Sequence, residues 1–136
     1  MKLTVDILTP QAEIYSGEAD EVIVPTIKGQ IGILPGHVTL LTQILPGELI
    51  VRNGTKTDAI AIMGGYAEVN KNHVNILGDY AVRAENIEIA KVEQAKAKAE
   101  KMEKEHLSKE EMLILETDLR RSILELKVAE RRKRHN

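Results

Sequence analysis

Cysteine, phenylalanine and tryptophan are absent from this 136-residue sequence, and its three tyrosines are the only aromatic residues. Without cysteine the chain has no disulfides, no thiolate metal ligands and no thiol nucleophile. The shortage of rings on which bases stack argues against binding of single-stranded nucleic acid. No apolar run approaches the roughly 18 residues that cross a bilayer. The N-terminal residues alternate and include Asp6, unlike a signal peptide.

Charge is unevenly distributed along the chain. The formal net charge is −2, which gives no overall basic field for nucleic acid. The segment 120–136 nevertheless contains seven Lys or Arg residues and two Glu residues, a local charge of +5. The rest of the chain therefore carries −7, so one end is basic and the remainder is acidic.

The composition changes near residue 84, which predicts two domains, 1–84 and 85–136. Before this point Gly, Pro, Thr, Val and Ile dominate, whereas beyond it there is no Gly or Pro, and Ala, Glu, Lys and Leu dominate. The first part predicts an all-β sandwich or barrel of about ten short strands. The second part predicts helices, so the expected fold class is α+β.

Turn residues divide the first part into short strands. Pro25 is expected to end a strand over 22–24. Asn53–Gly54 predicts a two-residue hairpin turn because both residues tolerate positive φ. A further hairpin is predicted around Lys71–Asn72. Gly64–Gly65 marks a break or bulge between strands.

The second part has the signals of an antiparallel two-helix hairpin. Asn86 is suited to cap a helix that begins at Ile87. Ser108 and Glu111 form a capping box at the start of the second helix, and the short connection 105–107 implies antiparallel neighbours. The predicted apolar stripes are Ile89, Val92, Ala95, Ala99 and Met102 on the first helix and Met112, Leu115, Leu119, Ile123 and Leu126 on the second.

Six segments carry a resemblance to a known family. They are Thr9–Pro10, Tyr15–Glu18, Gly32–Thr42, Gly64–Val69, Val74–Leu77 and Arg83–Glu85. In this order, ahead of a helical hairpin, they resemble the epsilon subunits of F-type ATP synthases (delta in mitochondria), over essentially the whole chain. The resemblance implies a β-sandwich that docks on the gamma subunit and on the polar loops of the membrane c-ring, as part of the rotating central stalk.

The resemblance also implies that the chain is not an enzyme. ATP synthesis from ADP and phosphate, driven by an ion gradient, belongs to other subunits, and no Gly-x4-Gly-Lys-Ser/Thr phosphate loop is present. No cofactor, metal or nucleic acid is expected. The chain is expected to be peripheral to the membrane through the complex, at the cytoplasmic face. The alternative is a stand-alone binding module. Co-purification with gamma would distinguish a rotor subunit from such a module.

Two loops are implied as the contact region with gamma and the c-ring. The candidate residues are Lys28, Gly29, Gln30, His37, Thr39 and Thr42. Thr39 stands where the family usually has proline. Gln30 stands where an acidic residue is common, so a contact with a c-ring loop would be a hydrogen bond instead of an ion pair. By themselves these residues equally suit an ordinary glycine turn and a turn-shaping histidine.

The basic end of the second helix is a candidate inhibitory surface. Its residues are Arg120, Arg121, Lys127, Arg131 and Arg132. In bacterial relatives such a helix meets an acidic segment of the catalytic beta subunit, where opposite charge steers and holds it. The alternatives are a solvated helix face and an amphipathic helix lying on anionic lipid, although the stripe lacks the aromatic anchors of such helices.

Nucleotide binding is a further possibility. Some relatives bind ATP through Ile/Leu-Asp-x-x-Arg-Ala at the start of the first helix, and the matching stretch here is Ile87–Val92. Glu88 and Lys91 replace the Asp and Arg of that motif, and Lys98 stands in place of a further arginine. Because lysine lacks the planar guanidinium fork, ordinary first-turn helix chemistry remains the alternative.

Overall fold

The computed structural model describes residues 1–37 and 39–134, except for the side chain of residue 134. Val38, within one of the family-like segments, and His135 and Asn136 lie outside the described residues. The chain forms two compact units, Met1–Arg83 and Ala84–Asn136. It passes from the β-rich unit to the helical unit at the point where glycine and proline disappear from the sequence.

Short strands make up the first unit, and in its described residues they number ten. They are β1 (Leu3–Leu8), β2 (Glu13–Ala19), β3 (Glu21–Thr26), β4 (Gly29–Ile33), β5 (Leu40–Ile44), β6 (Gly47–Asn53), β7 (Lys56–Ile62), β8 (Gly65–Asn70), β9 (His73–Gly78) and β10 (Ala81–Arg83). The strands are joined in the order β10-β7-β6-β3-β5-β8-β9-β1-β2, and β4 pairs with β3. Since β2 also lies against β6 and β10, the sheet folds back on itself as the predicted, nearly closed sandwich.

One strand pair is parallel and could not be inferred from local patterns. β1 runs parallel to β9, with Val5 opposite Val74, whereas the other pairs among the described strands are antiparallel. This pairing inserts the first strand of the chain between β9 and β2. It therefore places residues near the N-terminus beside residues more than sixty positions later.

Aliphatic side chains fill the core, as the absence of Phe and Trp requires. The largest fully buried residues are Leu3, Ile7, Ile33, Ile44, Leu49, Ile60, Ile62, Ile76, Val5, Val22, Val24 and Val51. In β1 every second residue is buried, as strand geometry dictates. Burying each such side chain contributes about 1.5–3 kcal/mol relative to leaving it exposed.

Of the two predicted hairpin turns, one lies where the sequence predicts it and the other is shifted by one residue. Lys71 and Asn72 have φ of 49° and 66° between the paired residues Asn70 and His73, which confirms the predicted hairpin. Asn53, however, pairs with Lys56 as a strand residue, so the two loop residues are 54 and 55 instead of 53 and 54. Gly54 has φ of 62° and supplies the positive angle at the first loop position.

Pro25 does not end its strand, contrary to the sequence-based expectation. Strand β3 continues through Pro25 to Thr26, and Pro25 lies opposite Gln30 of β4. Its carbonyl oxygen accepts a hydrogen bond of 3.0 Å from the backbone N–H of Leu45. Proline lacks only the donor, so a strand tolerates it where just the carbonyl is used.

Two helices form the second unit, α1 (Ile89–Met102) and α2 (Lys109–Arg134). The capping box is confirmed, because the Glu111 N–H donates to Ser108 Oγ at 3.1 Å and the Ser108 N–H donates to Glu111 Oε1 at 3.3 Å. The start of α1 is later than predicted. Residues 84–86 form a 3₁₀ turn whose Ala84 carbonyl accepts from the Ile87 N–H, so Asn86 does not cap the helix.

The buried face of α2 agrees with the predicted stripe except at Ile123. Leu115 is buried and Met112, Leu119 and Leu126 are half-buried, but Ile123 is 51% exposed. The other buried residues of the helix are Ser122, Glu125, Val128 and Ala129. The structure thus places small and polar residues inside and leaves a large apolar residue outside, which a count of apolar spacings could not anticipate.

Candidate functional site

The first candidate surface is a groove of about 360 Å³ between the β3–β4 turn and strand β5. Its lining residues are Thr26, Ile27, Lys28, Ile31, His37, Leu40, Leu41, Thr42 and Gln43, and we call it the β3–β5 groove. Three of the sequence candidates, Lys28, His37 and Thr42, therefore meet in one place. The other three, Gly29, Gln30 and Thr39, are exposed but do not line it.

Hydrogen bonds of Thr26 shape the turn that carries Lys28. Thr26 Oγ1 donates to the Gly29 carbonyl at 2.6 Å and accepts from the Lys28 N–H at 3.1 Å. Gly29 has φ of 102°, an angle that favours glycine. The turn consequently directs Ile27 and Lys28 outward, and both side chains are exposed.

The loop that carries His37 is held by its own turn and by a neighbouring hairpin. The His37 N–H donates to the Leu34 carbonyl at 3.0 Å, and Gly36 has φ of 84°, which confirms the predicted Pro35–Gly36 turn. The Gly36 N–H donates to Asn72 Oδ1 at 2.6 Å. This bond ties the loop to the β8–β9 turn and fixes where the half-buried His37 lies.

The second candidate surface is a row of exposed apolar side chains, Leu8, Leu77 and Tyr66, which we call the outer row. Leu77 is opposite Leu8 on one side and Tyr66 on the other, and their exposures are 39%, 58% and 57% for Leu8, Leu77 and Tyr66. Gln43, a groove residue, lies opposite Tyr66, so the outer row leads into the β3–β5 groove. Contiguous exposed apolar patches commonly mark interaction sites.

Sequence reasoning missed the outer row, although a signal was present. In β9 the buried Ile76 and the exposed Leu77 are consecutive, and alternation places them on opposite faces. Leucine at an outward position, repeated on the adjoining strand at Leu8, is the pattern that indicates it. Which strands adjoin was unknown until the parallel β1–β9 pair was seen.

Carboxylates flank the outer row. Glu13 pairs with Leu8, and Asp6 and Glu68 lie two residues from Leu8 and Tyr66 on the same face. Asp6 accepts a hydrogen bond from Ser16 at 2.7 Å and contacts His73 Nε2 at 2.8 Å. These two hydrogen bonds, that from Ser16 first, lower the pKa of Asp6 below its usual value. The row is therefore apolar with an acidic margin.

The third candidate surface is the exposed side of α2. Arg120, Lys127, Arg131 and Arg132 are exposed, and Arg121 is half-buried, with its Nε 3.7 Å from Glu125 Oε1. By helical geometry, Arg120, Lys127 and Arg131 fall on one side together with the exposed Leu113 and Ile123. The basic side of α2 is thus not purely polar.

The residues of the candidate nucleotide motif do not converge on one pocket. Ile87 is half-buried, and Glu88 and Lys91 are exposed and form an ion pair of 2.9 Å with each other. Lys98 follows Lys91 by two helical turns, roughly 10 Å along the axis. It lines a separate groove of about 360 Å³ between α1 and α2, which Arg121, Glu111 and Asp118 also line.

None of the helices in the part of the chain that the structure describes is long and apolar enough to cross a membrane. The fold is a β-sandwich with exposed apolar side chains, followed by a pair of helices. The family model of the ATP synthase delta/epsilon chain β-sandwich domain matches residues 2–84. The chain belongs to this ATP synthase delta/epsilon family.

Curated relatives extend the match beyond the sandwich. The ATP synthase epsilon chain of Dehalococcoides mccartyi strain BAV1 is 39% identical over 136 residues, which cover 98% of this chain and 96% of the relative. That of Synechococcus sp. strain RCC307 is 44% identical over 94 residues, or 69% of this chain and 70% of the relative. These relatives are named for a subunit of the complex other than its catalytic ones.

Solved structures show the same fold. A chain of the Euglena gracilis mitochondrial ATP synthase, in a structure of OSCP, F1 and the c-ring, is similar with a TM-score of 0.66 and 24% identity, over 98% of this chain and 81% of that one. A chain of the Tetrahymena thermophila mitochondrial ATP synthase central stalk and c-ring has a TM-score of 0.58 and 18% identity, over 95% and 97%.

Proposed function

We propose that this chain is a non-catalytic rotor subunit that joins the gamma subunit to the c-ring in the central stalk. The observation that carries the proposal is the outer row, Leu8, Leu77 and Tyr66, which runs into the β3–β5 groove on a sandwich of this family. In that role the chain transmits torque from ion flow during ATP synthesis. It is peripheral to the membrane, at the cytoplasmic face, through the complex.

The outer row is proposed as the gamma-docking face. Three apolar side chains on adjacent strands offer a flat apolar strip, and burying each large side chain contributes about 1.5–3 kcal/mol. The acidic margin of Asp6, Glu13 and Glu68 favours a partner with basic residues around an apolar centre. Gamma from the same complex is the partner we assign to it.

A pull-down with gamma tests this assignment. Replacing Tyr66 and Leu77 with serine should weaken binding at least tenfold, because both side chains lose the apolar area that docking buries. Asn70→Ser, an exposed change on the same strand β8, is the matched control and should bind as the wild type does. Unchanged binding of the double variant would refute this face as the gamma site.

The β3–β5 groove is proposed as the c-ring contact. Lys28, His37 and Thr42 line it, and the neighbouring Gln30 is exposed. Polar and cationic groups of this kind suit the polar loops of the c-ring. Lys28→Ala together with His37→Ala should reduce the coupling of ATP hydrolysis to ion pumping without loss of gamma binding. Normal pumping by that variant would remove the groove from the proposal.

The helical unit is proposed to inhibit ATP hydrolysis through the basic side of α2. Arg120, Lys127 and Arg131 provide positive charge, and Leu113 and Ile123, exposed beside them, add apolar contact to an acidic segment of the beta subunit. Replacing Arg120, Arg121, Lys127, Arg131 and Arg132 with alanine should raise the ATPase rate of the complex. Replacing the exposed Lys101 and Lys104 is the control for lost charge elsewhere, and equal rates in all complexes would contradict the inhibitory role.

Regulatory ATP is a second candidate function of the helical unit. The groove between α1 and α2 offers the cations Lys98 and Arg121, but Glu111 and Asp118 also line it and oppose a polyphosphate. Calorimetry of the chain with millimolar ATP measures directly whether ATP binds. A heat of binding that Lys98→Ala and Arg121→Ala abolish would support the site, and no heat with no rise in melting temperature would dismiss it.

A further inference from the structure

The last strand of the sandwich, β10, has only three residues and little apolar attachment. Ala81 is the one β10 residue in the described core, whereas Val82 and Arg83 are half-buried. Strand β10 pairs with β7 through Ala81, Val82 and Arg83 opposite Ile62, Ala61 and Ile60. It ends the chain of paired strands at that side. A strand this short needs another contact to stay in place.

Arg83 supplies such a contact. Its Nη2 atom donates to Asp58 Oδ1 at 2.9 Å, and only 10% of the Asp58 side chain is exposed. The guanidinium also lies over the ring of Tyr15 on β2, 5.6 Å from the ring centre, within the range of cation–π attraction. One side chain on β10 thereby contacts β7 and β2.

The register explains why the strand ends at Arg83. Arg83 lies opposite Ile60, so two further residues of strand would bring Glu85 opposite Asp58. Two carboxylates directly opposite each other are unfavourable in a sheet. Arg83 instead neutralises Asp58, and the chain turns into the 3₁₀ turn at Ala84.

We infer that Arg83, Asp58 and Tyr15 form a catch, a set of contacts that holds β10 on the sheet and makes Arg83 the last residue of the sandwich. With the catch closed, the chain leaves the sheet after Arg83. With it open, β10 detaches from β7, and its three residues lengthen the connection to the helical unit by roughly 10 Å. The inference concerns the sandwich alone and stands whether or not the helices inhibit ATP hydrolysis.

Hydrogen exchange of the full chain, read by mass spectrometry, tests the catch. Asp58→Asn removes the charge that holds Arg83 while nearly keeping the shape of the side chain. The amides of residues 81–83 should then exchange at least tenfold faster, with unchanged exchange in β1, β8 and β9. Arg83→Gln should give the same local result.

Two control variants separate the catch from general loss of ion pairs. Lys56→Gln removes the other cation near Asp58. The Lys56 Nζ atom lies 4.0 Å from Asp58 Oδ2, and the Lys56 side chain is 70% exposed. Glu21→Gln breaks the 2.9 Å pair with Arg52 between β3 and β6. Both control variants should leave exchange at 81–83 unchanged. The inference would be overturned if the β10 amides of Asp58→Asn and Arg83→Gln exchanged as slowly as in the wild type. It would also be overturned if those variants lost protection equally in every strand.

Discussion

His73 Nε2 lies 2.8 Å from Oδ2 of Asp6, and this contact crosses the single parallel pairing among the described strands, β1 with β9. Ser16 of β2 binds the other carboxylate oxygen of Asp6 at 2.7 Å. One carboxylate thus joins the consecutive strands β1 and β2 to β9, which is distant from them in sequence, on the outer face. The same face carries the outer row, so this cluster keeps Leu8 and Leu77 side by side.

Acid should weaken the fold through Asp6. The hydrogen bonds from Ser16 and His73 lower its pKa in the folded state, so its stabilisation is present above the unfolded pKa of about 3.9 and is lost as pH falls through the folded pKa. Asp6→Asn should reduce the free energy of unfolding at pH 6 by at most about 1 kcal/mol, since the pair is partly exposed. Urea unfolding at pH 6 and below pH 3 measures this, and a difference that persists at the lower pH would contradict it.

Truncation to alanine should affect the free energy of unfolding very differently at two neighbouring residues of β9. Ile76 is fully buried and Leu77 is 58% exposed. Ile76→Ala should lower the free energy of unfolding by about 2–5 kcal/mol, whereas Leu77→Ala should change it by no more than about 0.5 kcal/mol. Urea denaturation measures both. A large loss in Leu77→Ala would mean that the outer row stabilises the sandwich instead of being available to a partner.

Any substitution of Gly65, the first residue of β8, should destabilise the protein. A Cβ on Gly65 would lie 2.0 Å from the Leu77 carbonyl oxygen, at φ of 137°. Gly65→Ala should therefore lower the free energy of unfolding by about 2–5 kcal/mol, from strain and overpacking together. Gly17→Ala is the control, because the nearest atom to its added Cβ is 3.6 Å away. Thermal unfolding of the two variants compares them, and equal melting temperatures would contradict the steric argument.

The start of α2 should depend on Ser108. The Ser108 hydroxyl accepts from the Glu111 N–H, and the Glu111 side chain accepts from the Ser108 N–H. Ser108→Ala should destabilise this end of the helix by about 1 kcal/mol, and Ser108→Asp should retain the cap. Hydrogen exchange at residues 110–112 reports the change. Equal exchange in the alanine and aspartate variants would show that the cap contributes nothing.

The fold could be predicted in outline because its local signals are strong. Alternation, turn residues and the loss of glycine and proline after residue 84 predicted a sandwich followed by helices, and Ser108 with Glu111 placed the start of α2 correctly. The errors arose where several local options were available. Pro25 remained in a strand because only its carbonyl was needed, and the hairpin loop moved to residues 54 and 55 because Gly54 alone supplied positive φ.

The candidate sites were predictable only in part. Lys28, His37 and Thr42 were named from their motif, but their meeting in one groove depends on how β3 and β5 are positioned. Ile123 was assigned to the packed face of α2 from its spacing, yet it is exposed beside the basic residues. For the candidate nucleotide motif, the sequence was sufficient. The ion pair of Glu88 with Lys91 is local, and the distance of Lys98 from this pair follows from helix geometry.

The sequence by itself determined the division into strands and helices, the aliphatic core, the basic end and the family of this protein, because these depend on residue type and on neighbours a few positions apart. Only the tertiary structure decided the outer row, the Asp6–His73 contact and the Arg83–Asp58 pair. Each of these needs strands that are far apart in sequence to lie side by side. Such pairing is set by the packing of the whole sandwich, which no local pattern records.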